Sequence, residues 1–149
     1  MPSSPGGPAP TTTERPAEAT TPPLPHTQAE HPLLASFGYA FAGLRYTYRT
    51  QRNFRIHLMV AILALAAGVL FGLSWLEWAV VAVMIVLVLA AEMVNTMVEA
   101  LVDLVTRDHD PLAKAAKDVS AGIVLLTAIG SVVVGALVYG PKLARMLGL

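Results

Sequence analysis

The chain has 149 residues, 55% hydrophobic and only 13% charged, with ten Lys and Arg against ten Asp and Glu. A soluble domain carries about twice that charge and a nucleic-acid binder a basic excess, so the composition points to an integral membrane protein with no nucleic-acid partner. Without cysteine, disulfides, zinc–thiolate sites and cysteine nucleophiles are excluded.

Residues 1–32 hold nine of the eleven prolines, and Leu24 is their only Val, Ile or Leu. Such a segment cannot bury enough apolar surface to offset its ordering entropy. A disordered Pro/Thr-rich tail is expected, and no secretory signal, because a basic start and an apolar stretch are both missing.

Residues 33–54 read as an amphipathic helix. Leu34, Phe37, Phe41, Leu44 and Tyr48 recur at spacings of three and four, while Arg45, Arg49 and Arg52 recur on another face. Such a helix suits an anionic membrane surface, although it could also pack on its own protein.

Three long apolar segments follow. Leu58–Leu76 and Val119–Pro141 are runs of 19 and 23 residues without a charge, and about 20 residues cross the hydrocarbon core. Between them Trp78–Val105 is apolar but carries Glu92, Asn95, Glu99 and Asp103. Spans are expected at about 56–76, 78–106 and 117–140, with Trp75 and Trp78 as interfacial anchors. The fold class is thus an all-α membrane protein with a surface helix and three transmembrane helices. Eight of the ten basic residues lie before the first span or in the second loop. The positive-inside rule puts both in the cytoplasm and the Ser74–Trp78 turn outside.

Ionisable groups inside a span cost about 2.5–3.5 kcal/mol each on translocon scales and are functional candidates by default. At 100° per residue Glu92, Asn95, Glu99 and Asp103 fall within about 80° of one another, forming one stripe. Glu99 and Asp103 are expected near the cytoplasmic surface, with Glu92 about 10 Å deeper. A surface carboxylate can take Mg²⁺ and a phosphate donor; a deeper one can act as general base on the hydroxyl of a lipid headgroup. Lys117 and Asp118 open the third span, where a helix N-terminus would attract phosphate. The alternative is an interfacial lysine beside a capping aspartate, and for the stripe a set of interhelical hydrogen bonds. His57 reads first as an interfacial residue. Gly68 and Gly72 have the spacing of a helix-packing face. No P-loop, protein-kinase signature or nucleophile elbow is present.

The stretch Arg52-Asn53-Phe54-Arg55-Ile56-His57, then Glu92-Met93-Val94-Asn95-Thr96 with Glu99 and Val102-Asp103, then Ala116-Lys117-Asp118, resembles the prokaryotic diacylglycerol kinase family over about residues 34–142. The first of these motifs and the Trp75-Leu76-Glu77-Trp78 turn resemble its undecaprenol kinase branch. The resemblance implies a lipid kinase domain over 33–149 in the bacterial cytoplasmic membrane, with its N-terminus cytoplasmic. It implies a homotrimer with active sites shared between chains, and transfer of the γ-phosphoryl group of Mg·ATP to a lipid alcohol. Undecaprenol is the expected acceptor and diacylglycerol the alternative. By resemblance Glu92 is the catalytic base and lipid contact, and Glu99 a metal and ATP ligand with Asn95 beside it. Tyr39, Lys117, Asp118 and the loop Asp108-His109-Asp110 look like ATP contacts. Two positions depart from the family. Gln51 stands where many relatives carry a metal-sharing glutamate; its carbonyl can still ligate Mg²⁺ and touch ATP, but without formal charge. His109-Asp110 stands where relatives often have Tyr-His. A reading of another class, a small transporter or proton pathway, rests on the intramembrane carboxylates, but no internal repeat supports it.

Overall fold

The computed structural model describes residues 33–106 and 110–148, which form four helices and no strand. Helix α1 is Leu33–Thr50, α2 Arg52–Leu70, α3 Trp75–Val105 and α4 Pro111–Met146. The last three are long and apolar enough to cross a bilayer; even α2, with 19 residues, covers about 28 Å. The expected tail 1–32, and Asp108 and His109, lie outside the described residues.

Helix α3 is the organising element. It packs against both α2 and α4, whereas α2 and α4 hardly meet directly, and α1 touches α2 and α3. Much of the apolar surface of all three long helices stays exposed, including Leu63, Val86, Leu126 and Val133. That is the pattern of helices whose solvent is lipid. The buried set is small, with Phe54, Ala61, Val81, Val88, Ala91 and Val124 beside the polar Thr47, Glu92, Asn95, Thr96 and Ser120.

Helix boundaries depart from the sequence expectation at four places. The first helix was expected to run to 54, but the chain breaks at Gln51, whose φ of −100° and ψ of 116° are extended. Phe54 is buried just beyond the break. Arg55 turns back so that Nη1 donates to the carbonyls of Tyr48 at 3.1 Å and Arg49 at 3.3 Å, satisfying acceptors that the end of α1 leaves open. The second span begins at Trp75 because Ser74 and Glu77 form a reciprocal capping box. Before it, the Leu73 N–H donates to the Gly68 carbonyl and the Gly72 N–H to the Val69 carbonyl, closing α2 with Gly72 at φ +60°. Gly68 and Gly72 are therefore not a helix-packing pair. Gly72 makes the turn, and Gly68 admits the Trp78 ring, which would lie 2.6 Å from a Cβ there.

The third difference is the start of α4, six residues before Lys117. Asp110 Oδ1 accepts from the Leu112 and Ala113 N–H groups at 2.7 and 3.2 Å, and Pro111 occupies the first helical position. At its other end α4 continues through Pro141 to Met146. There the Tyr139 hydroxyl donates to the Ala64 carbonyl at 2.8 Å, and Lys142 Nζ lies 3.0 Å from Glu77 Oε2 and 3.4 Å from the Gly72 carbonyl. These bonds fasten the C-terminal end of α4 to α2 and to the α2–α3 turn.

Candidate functional site

The deeper half of the polar stripe of α3, Glu92 and Asn95, faces the inside of the helix packing, while Glu99 is half-buried and Asp103 exposed. Glu92 is 1% exposed and Asn95 8%. The Asn95 amide sits at the centre of a chain of contacts. Its Nδ2 donates to Glu99 Oε1 at 3.0 Å, and its Oδ1 accepts from the Ser120 hydroxyl of α4 at 2.7 Å. From the α1–α2 break, Gln51 Nε2 donates to Glu99 Oε2 at 3.2 Å. Both Glu99 oxygens are thus held by amides from different elements. The break at Gln51 is what brings that amide to α3.

Gln51, Asn95 and Glu99 form an oxygen-rich group with one carboxylate, and turning either amide presents its carbonyl. Such a donor set fits a hard cation, which completes its shell with water and phosphate oxygens. Among the described residues no three His, Asp or Glu side chains gather into a metal cluster of their own. The donor set is therefore of the kind that shares Mg²⁺ with a phosphate ligand rather than caging it.

Glu92 lies two turns deeper. Its Oε1 has no hydrogen-bond partner among the described residues, an unusual state for a buried carboxylate. The nearest basic atom is His57 Nε2, 3.3 Å away. Glu92 opens into a cleft of about 370 Å³ between α2 and α4, floored by α3 and lined by Asn53, Ile56, Asn95 and Leu125 among others. Next to it is an apolar cavity of about 100 Å³, lined by Val60, Ala64, Met84, Val88, Gly135 and Tyr139. His57 lines both spaces.

The remaining expected residues are less tightly gathered. Lys117 Nζ lies 2.6 Å from Asp103 Oδ1, and Lys114 pairs with Asp118, both on exposed surface. Lys117 stands in the second turn of α4, so the free N–H groups expected at its position belong instead to the first turn, where Asp110 engages two of them. That expectation is corrected: Lys117 can offer phosphate a charge, not a helix terminus. Asp110, expected as an ATP contact, caps α4 through Oδ1. Tyr39 is exposed on α1, twelve residues before Gln51, or about 18 Å along the helix. Asp108 and His109 are outside the described residues. Two residues were not singled out as site residues in the sequence. Ser120 follows Lys117 by three residues and so shares its face; His57 meets Glu92 only through tertiary packing.

The family described as prokaryotic diacylglycerol kinase matches residues 38–139, which include all four helices in whole or part. An undecaprenol kinase of Bacillus subtilis is 44% identical over 108 residues, covering 72% of this chain and 88% of that protein. A diacylglycerol kinase of Synechocystis is also 44% identical, over 116 residues, 77% of this chain and 66% of its own length. A diacylglycerol kinase of Pseudomonas aeruginosa is 32% identical over 99 residues, 65% of this chain and 80% of its own.

Proposed function

Since the chain belongs to the prokaryotic diacylglycerol kinase family and is a lipid kinase of the membrane, we propose that it moves the γ-phosphoryl group of Mg·ATP to the hydroxyl of undecaprenol. The observation that carries the reading is Glu92, a carboxylate 1% exposed inside a spanning helix, 3.3 Å from His57 Nε2 and lining an open cleft. A lipid hydroxyl in that cleft would give Glu92 its proton as it attacks the γ-phosphorus. The neighbouring apolar cavity, walled by Val60, Met84 and Val88, would take the first part of the hydrocarbon chain. Glu99 and Gln51 would hold Mg²⁺, with Asn95 steadying Glu99. When bound, the cation neutralises charge on the phosphates and orients them. Lys117 and Asp118 would face the nucleotide, with Tyr39, Asp108 and His109 further contacts. The exposed pairs that Lys117 and Asp118 now make are each worth little, so either can be exchanged for phosphate or metal.

The cytoplasmic membrane, with the N-terminus inside, is proposed from the arginines and lysines at the Glu99 end of the bundle. Helix α1 would lie on that surface, since Phe37, Phe41 and Tyr48 are exposed beside Arg45 and Arg49. A homotrimer with shared sites is proposed as well. The apolar residues that α3 leaves uncovered, among them Val83, Leu87 and Met97, suit neighbouring copies. Diacylglycerol remains the second reading, favoured by the equal identity to the Synechocystis enzyme.

The test is phosphate transfer from labelled ATP in mixed micelles, with undecaprenol and diacylglycerol offered separately, with and without Mg²⁺. Magnesium-dependent labelling of undecaprenol above diacylglycerol is expected. The reverse preference would establish the second reading, and labelling of neither lipid by a folded protein would overturn the proposal.

A further inference from the structure

The reaction releases one proton from the lipid hydroxyl, and Glu92 has no evident way to pass it on. Its side chain is 2% exposed, in a region where an uncompensated charge is costly. Glu99 is seven residues away on α3, about 10 Å along the helix. Helix α4 presents only Ala121, Val124, Leu125 and Ala128 to the cleft, and α2 presents Asn53, Ile56 and His57. His57 is therefore the one ionisable lining residue besides Glu92. Its Nε2 is 3.3 Å from Glu92 Oε1, and its side chain is 22% exposed, so it joins the buried carboxylate to the more accessible part of the bundle.

We infer that His57 is the proton exit of the kinase, a positioning residue that acts through Glu92. The inference rests on Glu92 being the base. As the lipid oxygen bonds to the γ-phosphorus, its proton passes to Glu92, and the bond from that phosphorus to the β,γ-bridging oxygen breaks with its electron pair leaving on ADP. Glu92 then gives the proton to the unprotonated Nε2 of His57. The imidazolium so formed loses its Nδ1 proton to water, and the remaining proton moves from Nε2 to Nδ1 through water, which restores the dyad. The sum is lipid alcohol plus ATP giving lipid phosphate, ADP and one proton. Once Glu92 has taken the proton, the carboxylate–imidazole pair shares it without leaving an isolated charge in the membrane. That is what the deep position of Glu92 requires.

The experiment is steady-state kinetics of wild type, His57→Gln and His57→Ala in the mixed-micelle assay, with and without added imidazole. His57→Gln is expected to lower kcat about tenfold or more, while the KM values for ATP and lipid stay within about threefold. Imidazole should restore His57→Ala, more so for ring-substituted imidazoles of greater basicity, and should not restore Glu92→Gln. A packing role would move stability and KM without rescue. If His57→Gln keeps kcat within about twofold of wild type, or a folded His57→Ala is not rescued, the relay is overturned. Should His57→Ala fail to fold, the kcat of His57→Gln decides alone. A wild type that phosphorylates no lipid alcohol would defeat the kinase reading itself; an active wild type with indifferent His57 variants would defeat only the relay.

Discussion

Replacing Gln51 with glutamate tests whether the Gln51–Glu99 contact is half of a cation site. At present Gln51 donates to Glu99 Oε2 at 3.2 Å. Glutamate would set a second carboxylate at that distance. Two unit charges 3.2 Å apart repel by about 5 kcal/mol at an effective dielectric of 20 and about 1 kcal/mol in bulk water. Both side chains are half-buried, so the cost falls between those limits, reduced by whatever separation the α1–α2 break permits. Without divalent cation Gln51→Glu should therefore melt below wild type, by about 3 °C or more per kcal/mol retained. With Mg²⁺ the sign reverses, because a cation between the carboxylates turns repulsion into ligation. The assay is thermal melting in detergent at mildly alkaline pH, with Mg²⁺ titrated from zero to millimolar. Gln51→Glu should gain more stability from Mg²⁺ than wild type and reach half-maximal kinase activity at lower Mg²⁺. Identical melting without cation and identical Mg²⁺ curves would put Gln51 outside the metal site.

Other outcomes follow from the same geometry. Glu92→Gln keeps the shape of the side chain and loses the base, so phosphate transfer should fall about 100-fold or more while the melting curve holds; turnover near that of wild type would dismiss Glu92 from its role. A Cβ on Gly135 meets only open space within 4 Å, so Gly135→Leu should fill the apolar cavity without strain. Its lipid KM should rise and its ATP KM should not, and a parallel rise in both would mean the cavity does not hold the chain. Asp110→Ala removes the cap of α4 and should cost about 1 kcal/mol of stability, read by thermal melting. A large rise in ATP KM with unchanged melting would return Asp110 to the nucleotide.

The stripe on α3 was legible because a single helix carries it: four polar residues at helical spacing in an apolar run can only share a face. Spans were legible for the same reason, being local sums of hydropathy. What escaped the sequence reading lay at helix ends and between helices. The start of α4 was sought where apolar character begins, at 117, although Asp110-Pro111 is itself a cap followed by the residue best suited to a first turn. The break at Gln51 interrupts an arginine spacing, Arg45, Arg49 and Arg52, that runs on past it, and Arg55 folds back there onto the carbonyls of Tyr48 and Arg49. His57 and Glu92 are 35 residues apart in the chain. Nothing local distinguishes His57 from an ordinary interfacial histidine until α2 and α3 are brought together.

The fastening of α4 at its C-terminal end has a directional consequence. Tyr139 and Lys142 tie it to α2 and the turn at that end alone, while the helices stand apart at the level of Glu92. The seam between α2 and α4 is thus like a clothes-peg, held at the Tyr139 end and spread at the cleft beside Glu92. On the proposed reading a long-chain alcohol would enter that seam sideways, head first, and the phosphorylated product would leave by the same lateral path. Neither would have to turn over in the bilayer, so the proposed reaction would read the sidedness of its substrate pool: alcohol groups in the opposite leaflet would stay out of reach until something else carried them across.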